Sequence, residues 1–369
     1  MNDFDWMQQA LKQAEKGIFT TAPNPRVGCV IVRDGILLAQ DYHRYQGQPH
    51  AEALALQQCL QQAEGATAYV SLEPCSHTGS NPPCADALIE AQVARVCVAN
   101  TDPNPLVSGE GIKRLQAAGI DVEIGLCEAE GEALNCGFFK RMRTGLPWVR
   151  VKTASSLDGR TAMANGESYW ITGEQARADV QYWRGRSQAI ITGIGTVLQD
   201  DCRLTVRPEQ LKSILPHDFP DKQPLRVILD SQLNIPLNAA LLKQPDTVIV
   251  ATTTGVNGAK IRELEALGVK VLEIASENKR IHLPSLLTWL GQHEINEVLV
   301  ESGATLAGAF IEQGLADELL MYIAPVLMGS DAKPLFEINI EQMANRLHME
   351  DCRMQTCGKD WRILARLKK

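Results

Sequence analysis

The chain has 369 residues, 45% of them hydrophobic and 22% charged, which suits two folded domains of the usual roughly 100–200 residues and excludes wholesale disorder. A net charge of −8 argues against the broad phosphate-tracking surface of a nucleic-acid binder, although a few placed cations would still serve one phosphate. No stretch approaches the roughly 20 apolar residues of a membrane span, Met1 to Lys16 has no leader-like apolar run, and ten cysteines scattered through a long chain are expected to be reduced thiols in the cytoplasm.

In chain order, Phe4, Met7, Leu11 and Ala14 fall at helical spacing. Val27 to Val32 and Ile36 to Ala39 flank Arg33-Asp34-Gly35 as a hairpin. Ala51 to Leu60 reads as a helix, Ala68 to Leu72 as a buried strand, Ala85 to Ala91 as a helix and Val93 to Ala99 as a strand. Gly111 to Ala118 as helix and Val122 to Gly125 as strand complete a first α/β layer. Lys140 to Pro147 is basic and turn-prone, so a boundary is expected near residue 146, dividing the chain into domains 1–146 and 147–369. The second domain restarts with strands at 149–153, 189–192, 227–229, 247–251, 269–274, 297–300 and 319–323, with helices at 259–267 and 283–290, again an α/β pattern. There is no internal repeat.

His50-Ala51-Glu52 opens one helix, and Pro74-Cys75 is followed after eight residues by Cys84, which opens another. One imidazole and two thiolates fill three corners of a tetrahedron and leave the fourth for water, as a catalytic zinc site requires. Glu52 need not ligate the metal and can act as the proton shuttle. The zinc-deaminase signature H-x-E followed by P-C-x-x-C is matched in its first part, with a longer gap between the cysteines. A structural zinc with His77 as fourth ligand is the alternative.

These residues resemble a family, the bifunctional riboflavin-biosynthesis deaminase/reductases. The matching text is Pro23-Asn24-Pro25-Arg26-Val27-Gly28, His50-Ala51-Glu52, Pro74 to Gly79 with Pro82-Pro83-Cys84, and Asp102-Pro103-Asn104-Pro105 in the first half. In the second it is Lys152 to Gly159, Gly166 to Thr172, Thr196 to Arg207, and Glu301-Ser302-Gly303-Ala304. Two departures stand out: Ser80-Asn81 where the family has a basic residue and Thr, and Asp200-Asp201-Cys202-Arg203-Leu204 where it has Asp-Asp-Pro-x-Leu.

The resemblance implies a cytidine-deaminase-like α/β/α domain followed by a dihydrofolate-reductase-like α/β domain, and a homodimer. It implies deamination of 2,5-diamino-6-ribosylamino-4(3H)-pyrimidinone 5′-phosphate, then NADPH-dependent reduction of the ribosyl group to give 5-amino-6-ribitylaminouracil 5′-phosphate. Asn24 becomes a ring contact. Ala154, Trp170, Thr196, Asp200, Ser231 and the run Gly303, Ala304, Thr305, Leu306, Ala307, Gly308, Ala309 become cofactor contacts. Ser168, Arg184, Leu204, Arg207 and Glu301 become substrate contacts, with the two arginines suited to a phosphate. From the residues alone, the strand-to-helix junctions Gly193-Ile194-Gly195-Thr196 and Ser302-Gly303-Ala304 are either phosphate cradles or tight turns, since neither carries G-x-G-x-x-G. A single-activity deaminase and a zinc-stabilised nucleic-acid module are the competing readings.

Overall fold

The computed structural model describes residues 1–76, 82–105, 107–168, 170–211 and 222–368; His77, Thr78, Gly79, Ser80, Asn81 and Tyr169 lie outside them. The chain separates into two compact units, Met1–Leu146 and a second beginning at Pro147.

The first unit is a five-stranded sheet in the order Ile36–Tyr42, Gly28–Arg33, Thr67–Val70, Arg95–Val98, Asp121–Ile124. The first two pairings are antiparallel and the last two parallel. Its strands alternate between two buried faces. Val30, Val32, Tyr69 and Cys97 pack with Trp6, Met7, Ala10 and Leu11 of the helix Asp3–Glu15. Cys29, Ile31, Ala68, Val70, Val96 and Val98 pack on the other face with Ala51, Ala55, Ala85, Leu88 and Leu115. An α/β/α sandwich follows. The first helix lies so close that a Cβ on Gly28 would sit 2.1 Å from the Ala10 carbonyl oxygen.

One expectation is corrected here: most of the basic stretch after Lys140 is helical. Glu128–Leu134 and Cys136–Thr144 are helices, the second burying Phe138 and Phe139. Its basic residues Arg141 and Arg143 occupy the last turn, where they complement the macrodipole, and it stops at left-handed Gly145.

The second unit holds a nine-stranded sheet in the order Lys270–Ile274, Val248–Thr253, Leu225–Leu229, Ala189–Gly193, Glu297–Glu301, Trp148–Ser156, Glu318–Ala324, Asp360–Leu367, Met349–Cys357. The first seven run parallel and the last two form an antiparallel hairpin at one edge. From Ala189–Gly193 the chain moves outward through three strands, then returns to insert Glu297–Glu301 beside Trp148–Ser156. Ligands of open parallel sheets bind at the carboxyl ends of the strands where strand order reverses. Among the described residues no helix is long and apolar enough to cross a membrane.

Candidate functional sites

His50 precedes the helix Ala51–Cys59, Cys75 lies in the loop beyond strand Thr67–Val70, and Cys84 starts the helix Cys84–Glu90. The fold converges their ligand atoms to within 4.8 Å of one another. His50 Nδ1 lies 3.5 Å from Cys75 Sγ and 3.3 Å from Cys84 Sγ. Zn–S bonds of about 2.3 Å and Zn–N of about 2.0 Å at a tetrahedral angle require an N···S separation of about 3.5 Å, so the donor set fits zinc. The Cys84 amide points at Cys75 Sγ, at 3.4 Å. Hydrogen bonding from Cys84 holds the Cys75 thiol well below its ordinary range, and the same bond raises Cys84. The bond to Cys75 in turn raises His50.

Glu52, in the first turn of the helix Ala51–Cys59, is 3% exposed. Its Oε2 is buried without a protein partner, and burial pushes the carboxyl up to about 7. Such an orphaned oxygen beside a metal-binding set is where a proton-transferring group is expected.

Asn24 is placed close by through a residue the sequence did not single out. The buried His43 ring lies between the Pro49 carbonyl oxygen, 3.2 Å from Nδ1, and the Asn24 amide nitrogen, 3.1 Å from Nε2. Pro49 can only accept, so Nδ1 donates to it and the neutral Nε2 accepts from Asn24; burial lowers the His43 pKa, in keeping with a neutral ring. The His43 and His50 rings meet edge to face with centroids 5.2 Å apart. Nothing in the sequence marked His43, which lies beyond the expected strand Ile36 to Ala39.

In the second unit the parallel register collects most candidate residues at one sheet edge. Ser231 follows Leu225–Leu229; Thr196 and Asp200 lie on the helix Ile194–Asp200 after Ala189–Gly193; Gly303 leads from Glu301 into the helix Ala304–Glu312; Ala154 is toward the end of Trp148–Ser156. On that helix Gly303 and Thr305 are exposed, Ala304, Leu306 and Ala309 half-buried, and Ala307 and Gly308 buried. Nothing lies within 4 Å of a Cβ built on Gly195 or Gly303. The hydroxyls of Thr153, Thr192 and Ser302 are buried without partners. Open backbone beside unsatisfied hydroxyls at the carboxyl edge fits a polar ligand such as a dinucleotide.

Glu301 is buried and grips Arg184 bidentately, with Nε–Oε1 at 2.6 Å and Nη2–Oε2 at 3.0 Å. Lys152 Nζ stands 3.9 Å from the same carboxylate. Arg184 also donates to the Thr205 carbonyl, and Leu204 packs in the cluster beneath. The two arginines therefore do not act as an equal pair: the Arg184 fork is engaged by Glu301, while Arg207 is exposed. Lys152 and Ser302 were not singled out as contacts, though both fall inside matched motifs. Ser168 is half-buried in the loop before Trp170, whose exposed indole stacks on the Arg177 guanidinium at 4.1 Å. Trp170, Asp201 and Leu204 all have left-handed φ angles of 45°, 40° and 54°, conformations that are costly for bulky residues and cluster at ligand sites. In the departing segment Cys202 is half-buried, and burial raises its thiol to about 11.

Residues 147–363 match the RibD C-terminal domain model, and residues 1–100 match that of the cytidine and deoxycytidylate deaminase zinc-binding region. The chain is 48% identical over 364 residues to the riboflavin biosynthesis protein RibD of Escherichia coli, covering 98% of each chain. It is similar to a solved structure of Acinetobacter baumannii RibD, with 49% identity, TM-score 0.90, and coverage of 100% of this chain and 99% of that one. A Thermotoga maritima protein described as a diaminohydroxyphosphoribosylaminopyrimidine deaminase/5-amino-6-(5-phosphoribosylamino)uracil reductase superposes with TM-score 0.84 at 29% identity, covering 99% and 98% of the two chains.

Proposed function

The chain belongs to the RibD family, the bifunctional deaminase/reductases of riboflavin biosynthesis, and on that premise we propose how its residues divide the two reactions. Residues 1–146 form the deaminase, with His50, Cys75 and Cys84 as zinc ligands and Glu52 as proton shuttle. Residues 147–369 form the NADPH-dependent reductase. The substrate is a phosphorylated diaminopyrimidinone, deaminated first and then reduced from ribosyl to ribityl.

The observation that carries this reading is the convergence of the His50, Cys75 and Cys84 ligand atoms to within 4.8 Å of one another beside the buried, unpartnered Glu52 oxygen. Zinc bound there supplies Lewis acidity that makes a water molecule acidic enough to attack near neutral pH. Glu52 moves one proton from the water to the ring nitrogen as the C–O bond forms, then a second from the resulting hydroxyl to the amine as the C–N bond breaks and ammonia leaves. Asn24, oriented by His43, hydrogen-bonds the pyrimidine ring. In the reductase, NADPH supplies the hydride. Gly303 to Ala309, Ala154, Trp170, Thr196, Asp200 and Ser231 hold the cofactor. Arg184, fixed by Glu301, acts with Ser168, Leu204 and Arg207 to orient the substrate, and Arg207 provides the exposed charge for its phosphate.

The test is a coupled assay of ammonia release and NADPH oxidation with Glu52→Gln. The variant is expected to keep one zinc per chain and to oxidise NADPH when given the deaminated compound, while ammonia release falls by about 10²–10⁴ or more. Wild-type ammonia release would refute the role of Glu52, and absence of NADPH oxidation in the unaltered protein would favour a single-activity deaminase.

The working form is a cytoplasmic homodimer. Ten cysteines scattered through a long chain support the reducing compartment. The edge strand Met349–Cys357, exposed along nearly its whole length and carrying Met349 and Met354, supports self-association. Light scattering should give twice the chain mass, and Met354→Asp should shift it towards the monomer.

A further inference from the structure

The most densely engaged carboxylate near the zinc set belongs to a residue with no role in the proton transfers. Glu73 is 4% exposed and stands two residues before Cys75. Its Oε1 accepts from the amides of Gly111 at 2.9 Å and Ile112 at 3.3 Å; its Oε2 accepts from Gly109 at 3.0 Å and Asp102 at 3.1 Å. Three of these donors belong to the start of the helix Glu110–Ala117, and the fourth opens the Asp102-Pro103-Asn104-Pro105 motif, which the proposed chemistry leaves unused. The backbone is equally close: a Cβ on Gly111 would lie 1.9 Å from the Pro74 carbonyl oxygen. On the other side of Cys75, Arg114 of the same helix donates to the Ser76 carbonyl at 3.2 Å.

Cys75 is thus pinned from both flanks to one helix, while Ala85 and Cys84 hold it from the front through its carbonyl oxygen and its sulfur. We propose that Glu73 is a positioning residue that sets the Cys75 sulfur for metal binding by clasping the ligand loop to the Glu110–Ala117 helix start and the Asp102 loop. This rests on the zinc reading above. The carboxylate suits the task because both oxygens accept and neither can donate. An isosteric amide would turn an N–H₂ group towards two N–H donors. Coupling also runs both ways: if the clasp favours metal binding, bound metal favours the clasp.

The experiment uses the full chain. Zinc affinity is measured by competition with a chromogenic chelator, and the Co²⁺-substituted visible spectrum reports ligand geometry. Glu73→Gln is expected to bind zinc about 10–100-fold more weakly, the usual cost of disturbing the groups that support a ligand, with an altered Co²⁺ spectrum and unchanged NADPH oxidation on the deaminated substrate. In wild-type protein, stripping zinc is expected to accelerate hydrogen exchange at the Gly109, Gly111 and Ile112 amides, a readout that needs no variant to fold. Wild-type affinity and spectrum in Glu73→Gln, or unchanged exchange at those amides on stripping, would overturn the proposal. A wild-type chain that binds no zinc would overturn the metal reading and this one with it.

Discussion

A buried carboxylate persists only if its charge is met, and Glu301 shows how closely this chain does so. Burial alone would raise its pKa, but the Arg184 guanidinium, reinforced by Lys152, more than compensates and the carboxyl is held below its ordinary value of 4.5. A folded-state pKa below the unfolded one means that ionised Glu301 stabilises the fold above about pH 4.5, and that this contribution is lost as pH falls through the lower folded value. Glu301→Gln should therefore cost about 3–5 kcal/mol near neutrality, because it strands a buried guanidinium. The difference from wild type should shrink in acid. Urea unfolding at pH 7 and pH 3.5 measures both, and a gap that grew in acid would contradict the sign. At this scale the convergence of His50, Cys75 and Cys84 was legible in the sequence because these residues carry chemistry few others can supply. His43 and Glu73 were not legible as a support for Asn24 and a loop clasp, because their partners are backbone groups and an amide brought near only by folding.

Elements were legible where burial imposes a period. Strands such as Gly28–Arg33 and Glu297–Glu301 are buried along their length and read plainly as apolar runs. The helix Glu174–Arg186 was missed: Ala176, Val180 and Trp183 keep helical spacing, but charged residues surround them. The closing hairpin was missed because Met349–Cys357 is exposed until its last residue and shows no alternation. These two elements meet through an apolar cluster that includes Ala176, Val180, Trp183, Cys357 and Leu364, and through one half-buried carboxylate. Asp179 accepts from Tyr322 Oη at 2.6 Å, from Trp183 Nε1 at 3.3 Å and from Arg362 Nη1 at 2.8 Å. Asp179→Asn leaves Arg362 without its counter-charge and turns a donor towards other donors. It should destabilise the second unit by about 1–3 kcal/mol. Denaturant unfolding should show the loss in the transition that NADPH shifts, while ammonia release at 25 °C stays at the wild-type rate. A matching loss of ammonia release would show that the junction serves both reactions.

At the scale of the molecule, the polar text around residue 146 and the renewed strand pattern after it predicted a division, and contact within the structure divides the chain between Leu146 and Pro147. The order of strands was not legible, because sequence periodicity carries no information on which strand returns to insert beside Trp148–Ser156. Each unit has its own sheet, with helices packed on both faces of the first. Fragments 1–146 and 147–369 should accordingly fold separately, each keeping one ligand. A ligand that binds only the native state stabilises it by RT ln(1 + [L]/Kd), about 2.7 kcal/mol at a hundredfold excess over Kd. Zinc should therefore raise the melting temperature of the first fragment and leave the second unmoved, and NADPH should do the reverse. In the intact chain the two ligands should shift two separate unfolding transitions. If NADPH stabilised the first fragment, or zinc the second, the assignment of the reactions to the units would be wrong even with both activities present in the whole protein.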